Sequence, residues 1–323
     1  MKRSAILFSL CLFIFAEFSC NNSPSGTAGI PAAAGDKPAI DDQGVAIDYT
    51  DSWQDAGGGS TGDSSRGSEG DSRRGGSGKG DTTLLFIHGW CINKTYWSDQ
   101  VAWFSRRYRV VTMDLPGFGL SGKNRSEWTS QAFGRDVDTV LSKLNCSHVI
   151  LVGHSMAGDI ILEAALHARD RVIGLVGIDN FKGIAQAPDS QSRAEQAAAI
   201  NELKHHFSAM VTEYFSQSLF SRTTDSAIRK RVLGDVLRAD TAVAIACQEQ
   251  PDYNEMEALK ALRMPLHLIS SDVTPTDTAG FRNNGIPLRI KYIHGSGHFP
   301  MVEAPAKFNA LLEQTIAEVG GEG

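Results

Sequence analysis

The chain has 323 residues, a formal net charge of -6, 41% hydrophobic and 21% charged residues, and 5 cysteines. That length holds one large domain or two small ones. The acidic balance excludes a phosphate-neutralising nucleic-acid binder, which needs clustered Lys and Arg, and so few cysteines exclude a disulfide scaffold.

The first elements read as an export signal. Lys2 and Arg3 precede a stretch from Ala5 to Phe15 that is apolar apart from Ser9, and Glu17 ends it. The run is shorter than the roughly 18–20 residues a membrane span requires. Residues 1–20 are therefore expected to be a signal peptide, and no span is expected in the mature chain. Cys20, followed by Asn21, Asn22, Ser23, Pro24 and Ser25, resembles a bacterial lipoprotein cleavage site. Glu17 stands where such sites usually carry Leu. Two locations follow: an envelope lipoprotein held to a membrane through a lipidated Cys20, or a plainly secreted or periplasmic protein. Cys91, Cys146 and Cys247 show no metal-binding spacing and read as buried thiols.

Residues 21–42 are expected to be a disordered tether, because Ser, Gly, Ala and Pro bury too little surface to offset ordering entropy. Within 55–80, 10 of 26 residues are Gly and 6 are Ser, so this tract too is expected to be disordered. Between the tracts, Val45, Ile47 and Tyr49 alternate with smaller or polar residues as in a strand. The Gly/Ser tract then reads as an insertion inside a domain spanning 43–318. Loop-closure entropy rises only slowly with length, so such an insertion is tolerable.

From residue 82 onward, strand and helix patterns alternate. Apolar runs at 84–87, 108–113, 148–152, 172–178, 266–269 and 288–293 read as strands. Phe133-Val137-Val140-Leu141-Leu144 and Ile160-Ile161-Ala164-Ala165-Ala168 have helical spacing. Continuous apolar strands separated by helices indicate an α/β fold with a mostly parallel, doubly wound sheet. The alternation stops across 183–261, where Ile200, Leu203, Phe207, Met210, Val211, Tyr214 and Phe215 repeat at helical spacing. A helical cap inserted before the penultimate strand is expected there.

Gly153-His154-Ser155-Met156-Ala157-Gly158 follows one strand and opens a helix. That is the context of a nucleophile elbow: a sharp turn exposes the Ser hydroxyl, and small residues on either side let strand and helix backbones approach. Ala157 stands where the motif usually has Gly. Locally, Ser155 also reads as a helix N-cap. Three further motifs occur: His88-Gly89-Trp90, Asp114-Leu115-Pro116-Gly117-Phe118-Gly119, and Gly295-Ser296-Gly297-His298-Phe299-Pro300. In this order the four motifs resemble those of the α/β-hydrolase family, in the branch with a helical cap.

The resemblance implies a serine hydrolase acting on a small-molecule carboxylic ester or related acyl compound through an acyl-enzyme. Ser155 would be the nucleophile and His298 its base. Asp272, just past the strand at 266–269, is the expected acid; Asp179, just past the strand at 172–178, and Asp277 are alternatives. The backbone N–H groups of Trp90 and Met156 would form the oxyanion hole. His88 is expected to be structural and His154 to point away along the turn. No phosphate loop, metal-ligand cluster or dinucleotide fingerprint stands in the sequence, so no cofactor and no metal are expected. Carbon–carbon bond hydrolysis, a cofactor-free perhydrolase and a non-catalytic binding module are the other readings.

Overall fold

A computed structural model describes residues 37–55, 82–184 and 190–321. The expected signal peptide, Cys20, residues 21–36 of the tether and residues 56–80 of the Gly/Ser tract lie outside the described residues. The tether boundary expected at 42 moves. Strand β1 (Ala39–Ile40) pairs antiparallel with β2 (Ala46–Ile47), and Asp41 closes the turn by accepting the N–H groups of Gln43 (2.9 Å) and Val45 (2.7 Å).

The main sheet has seven strands: β3 (Tyr49–Asp51), β4 (Thr82–Ile87), β5 (Arg109–Met113), β6 (His148–His154), β7 (Val172–Ile178), β8 (Leu266–Ser271) and β9 (Leu288–Ile293). Their order is β3-β5-β4-β6-β7-β8-β9, parallel except that β3 runs antiparallel to β5. Strands β4 to β8, in the interior of the sheet, are mostly buried and apolar, as expected of a parallel sheet covered on both faces, whereas the edge strands β3 and β9 are partly exposed. Leu84, Leu85, Phe86 and Ile87 are all fully buried, each contributing about 1.5–3 kcal/mol by leaving water.

Helices α1 (Ser52–Asp55), α2 (Ser98–Phe104), α3 (Ser130–Lys143) and α4 (Ala157–His167) lie along the first half of the chain. Thr129 caps α3 by accepting the N–H of Ala132 at 3.2 Å. Helices α3 and α4 pack so closely that a Cβ on Gly134 would come within 2.5 Å of Glu163 Cβ. The chain then builds α5 (Ser190–Tyr214), kinked at His206, a π-helical turn (Phe215–Leu219), α6 (Ser226–Arg238), α7 (Thr241–Gln248) and α8 (Glu255–Leu262) without an intervening strand. The segment expected to cap the sheet is thus helical, but its last helix does not belong to the cap. Helix α8 packs against α4 and leads directly into β8. Helices α9 (Thr278–Asn283), α10 (Pro300–Glu303) and α11 (Pro305–Gly321) complete the body, α11 covering β7, β8 and β9. Among the described residues, no helix is long and apolar enough to cross a membrane. Cys91, Cys146 and Cys247 are buried free thiols.

Candidate active site

The carboxyl ends of β4, β6 and β7 meet beneath the cap. Strand β6 ends at His154, α4 begins at Ala157, and Ser155 makes the turn with φ 53°. A left-handed backbone costs a non-glycine residue about 1–2 kcal/mol, so the surroundings must hold it in place. They do: the Ser155 N–H donates to Ile178 O at 3.0 Å, Gly158 N–H donates to Ser155 O at 2.9 Å, and Asn180 Nδ2 donates to Gly153 O at 2.9 Å. Gly153 is required sterically, because a Cβ there would lie 2.6 Å from Ala157 O and 2.7 Å from Ile161 Cγ2. The methyl group of Ala157 is fully buried within this turn, so the elbow forms without the usual glycine.

His298 lies across from Ser155 on the loop after β9. Its Nε2 is 2.9 Å from Ser155 Oγ, and its Nδ1 is 2.6 Å from Asp179 Oδ2. A carboxylate only accepts, so Nδ1 carries the proton and Nε2 presents its lone pair to the Ser155 hydroxyl. Asp179 is therefore the carboxylate on His298, and the expectation of Asp272 is corrected. Strand β8 extends two residues beyond the run seen in the sequence, through Ser270 and Ser271. Asp272 then emerges at the surface, where it accepts from His294 Nδ1 (2.8 Å) and the Gly295 N–H (3.1 Å). Asp277 caps α9 through the Ala279 N–H at 2.9 Å.

Asp179 is 3% exposed and itself has φ 49°, with Phe181 two residues on at φ 46°. Its backbone N–H donates to Ile269 O at 3.0 Å. Its Oδ1 accepts from Ser271 N (2.8 Å), from Ser271 Oγ (2.9 Å) and from Lys182 Nζ. Burial pushes the carboxyl up, but the hydrogen bond and charge of His298 and the ammonium group of Lys182 outweigh it and hold Asp179 well below the usual carboxylate range.

The other histidines support this arrangement. His154 does turn away from the Ser155 hydroxyl, and its Nε2 donates to the backbone O of His298 at 2.7 Å. Burial, then the neighbouring His298, push it down to about 3, so it stays neutral. His88 donates from Nδ1 to Gly89 O (2.7 Å) and accepts Leu115 N–H at Nε2 (3.0 Å), joining two of the sequence motifs; burial lowers its pKa. The His298 loop is clamped by Glu303, which accepts from Gly297 N (2.8 Å) and Phe299 N (3.0 Å). From the cap, Leu219 O accepts the His298 N–H at 2.8 Å. Neither the Glu303 clamp nor the Lys182 contact was legible in the sequence. Pro300 at the start of a turn that contains Glu303 is the one available hint.

Trp90 stands on the loop after β4 and lines the cavity above Ser155, and Met156 directly follows Ser155. Met156 precedes α4, whose N-terminus contributes partial positive charge. The Trp90 indole donates to Ala244 O on α7 at 2.9 Å and packs against Phe207 and Phe215, fastening its loop to the cap. The cavity above Ser155 encloses about 1140 Å³ including its mouth, with Trp90, Leu203, Tyr214, Phe215 and Phe299 among its walls. A second cavity of about 730 Å³ shares Ser155, Gln196 and Gln248 with the first and is walled by Asp159, Tyr253 and Glu255. Burial raises Asp159 to about 7 against the opposing hydrogen bond with Glu255, and burial together with Asp159 raises Glu255 well above the usual carboxylate range.

A serine raised on a strand-to-helix elbow, hydrogen-bonded to an imidazole that is backed by a buried carboxylate, stands at the carboxyl edge of a largely parallel sheet. That combination defines an enzyme of the α/β-hydrolase class. The chain belongs to the alpha/beta hydrolase family, whose model matches residues 84–311. Among its relatives is a pimeloyl-[acyl-carrier protein] methyl ester esterase of Edwardsiella ictaluri, 28% identical over 73% of this chain and 93% of that one. Another is a putative non-heme chloroperoxidase of Synechocystis sp., 27% identical over 64% of this chain and 79% of that one. In structure the chain is similar to a thermophilic esterase from Thermogutta terrifontis: TM-score 0.67 at 19% identity, covering 89% of this chain and 99% of that one.

Proposed function

We propose that the protein is a serine hydrolase that cleaves a carboxylic ester or related acyl compound with a Ser155–His298–Asp179 triad. The observation that carries this reading is the unbroken chain of hydrogen bonds from Ser155 Oγ through the imidazole to Asp179, at 2.9 and 2.6 Å, opening into an apolar cavity. The esterase among its relatives lends further support.

A neutral Ser hydroxyl is a weak nucleophile. His298 Nε2 takes the Ser155 proton as Oγ bonds to the substrate carbonyl carbon. The carbonyl oxygen gains the negative charge, met by the N–H groups of Trp90 and Met156 and the N-terminus of α4. His298 then gives its proton to the leaving group, whose bond to carbon breaks, and an acyl-enzyme remains on Ser155. Water, deprotonated by His298, reverses these steps and releases the acid. Asp179 holds the imidazole in the required tautomer and stabilises its charged form.

The test is turnover of p-nitrophenyl esters of increasing chain length, together with labelling by a fluorophosphonate. Hydrolysis by the wild type, its loss in Ser155→Ala, and a label on Ser155 are expected. Absence of both turnover and label would sink the proposal.

A second reading draws on the relative named a putative non-heme chloroperoxidase. Hydrogen peroxide would replace water as the attacking group on the same acyl-enzyme and release a peracid. Peracid formation from acetate and peroxide, lost in Ser155→Ala, would support it.

Export is proposed on the layout of residues 1–20, and membrane anchoring on Cys20. Equal amounts of wild type and Cys20→Ala in the membrane fraction would defeat the anchor.

A further inference from the structure

Lys182 has no place in the chemistry so far. It follows Asp179 by three residues, across the turn that carries the two left-handed residues Asp179 and Phe181. Its ammonium group donates to Asp179 Oδ1, opposite the oxygen that faces His298, and its side chain also lines the cavity above Ser155. Resting on the serine-hydrolase reading, we propose that Lys182 is a positioning residue of the triad: by sharing the Asp179 carboxylate with His298, it keeps the buried cluster electrically neutral throughout proton transfer.

The charges can be followed through the step. At rest Asp179 is negative, Lys182 positive, and His298 and Ser155 neutral. When the Ser155 proton moves to His298 and Oγ bonds to the substrate carbon, the imidazolium gains one positive charge and the substrate oxygen one negative charge. The cluster is neutral in both states. Without Lys182 it would carry one uncompensated negative charge in both, against an apolar wall where charges are weakly screened. That excess charge would oppose the oxyanion and would favour protonation of His298.

Other elements bring their own groups to this centre. From β6 comes His154, which stays neutral. From the cap come Gln196 and Tyr214, whose hydroxyl burial holds in its protonated form. From the end of β8 comes Ser271, and from the loop after it come Thr274 and Asp277. The Asp277 N–H donates to Lys182 O at 2.6 Å, while its carboxylate caps α9. Glu303 is engaged by the Gly297 and Phe299 amides and by Thr224. Among the described residues, Lys182 is thus the basic side chain set on Asp179 beside His298 itself.

The experiment measures the pH dependence of kcat/KM for p-nitrophenyl butyrate, and of fluorophosphonate labelling at Ser155, in wild type, Lys182→Met, Lys182→Gln and Lys182→Arg. The acidic limb should move up by about one pH unit in Lys182→Met and Lys182→Gln. The plateau kcat should fall roughly tenfold with KM within about twofold, as expected when transition-state charge loses support. Lys182→Arg should keep the wild-type limb. Melting curves identify folded variants, and Lys182→Gln carries the test if the methionine variant does not fold. Superimposable profiles for Lys182→Gln and wild type would overturn the inference, as would equal shifts in the Arg and Gln variants. A wild type that neither turns over esters nor takes the label at Ser155 would instead overturn the serine-hydrolase reading itself.

Discussion

Asp179→Asn and Asp272→Asn, measured side by side, separate two carboxylates that the sequence presents as near equivalents. Asp179 Oδ2 lies 2.6 Å from His298 Nδ1 inside the protein, whereas Asp272 pairs with the exposed His294. An amide at 179 cannot stabilise the imidazolium. If its NH₂ faces Nδ1, the imidazole proton moves to Nε2, and the lone pair that Ser155 needs is lost. In the well-studied serine protease triad, the same change of Asp to Asn lowers kcat about 10⁴-fold. At about 1.36 kcal/mol per tenfold, that is roughly 5 kcal/mol of barrier. An exposed ion pair contributes about 0–1 kcal/mol of stability, and Asp272 does not touch the reacting groups. Its variant should therefore retain activity within about twofold. The assay is kcat/KM on p-nitrophenyl butyrate, with a melting curve for each variant to confirm folding. An Asp179→Asn enzyme at wild-type rate, or an inactive but folded Asp272→Asn enzyme, would refute the reasoning.

Three further outcomes are expected. Gly153→Ala should destabilise the protein by about 1–3 kcal/mol through overpacking, read as a lower urea midpoint, since its methyl would meet Ala157 O at 2.6 Å and Ile161 Cγ2 at 2.7 Å; an unchanged midpoint would mean the elbow is looser than described. Trp90→Phe keeps an aromatic wall but removes the hydrogen bond to Ala244 O, and should cost about 1 kcal/mol in the same titration. For pH dependence, Asp159 is raised to about 7 when folded, against about 3.9 in the unfolded chain. The native state then holds the extra proton over that interval, so stability falls as pH rises from about 4 to about 7. Asp159→Asn should flatten part of that fall in Tm; a Tm profile parallel to wild type would contradict it.

The alternating apolar runs and the helical periodicities are local properties, and they were enough to indicate the sheet; the elbow at Ser155 was indicated by its motif between strand and helix, and the loop that bears His298 by its resemblance to the family. Strand lengths were less legible. Ser270 and Ser271 are polar, yet both are buried in β8, because their backbones pair with Tyr292 and Ile293 and the Ser271 hydroxyl finds Asp179. Similarly, Ala39–Ile40 looks like tether in composition and becomes a strand only through its partner, β2.

The sequence by itself singled out Ser155 and His298 as the proposed nucleophile and base, because each stands in a short motif: strand, tight turn and helix for Ser155, and for His298 a Gly-rich loop that resembles the one in the α/β-hydrolase family. Only the tertiary structure decided which carboxylate serves the histidine. Asp179 and His298 are separated by 119 positions in the chain, and Asp179 and Asp272 both follow strands of the same sheet. What distinguishes them is how far each strand runs before it ends, and therefore which carboxylate stays buried under the cap and which reaches solvent. The same holds for Lys182, for His154 on the His298 carbonyl and for Glu303 on its amides. Each acts through contacts that exist only once the strand ends, the loops and the cap are packed together.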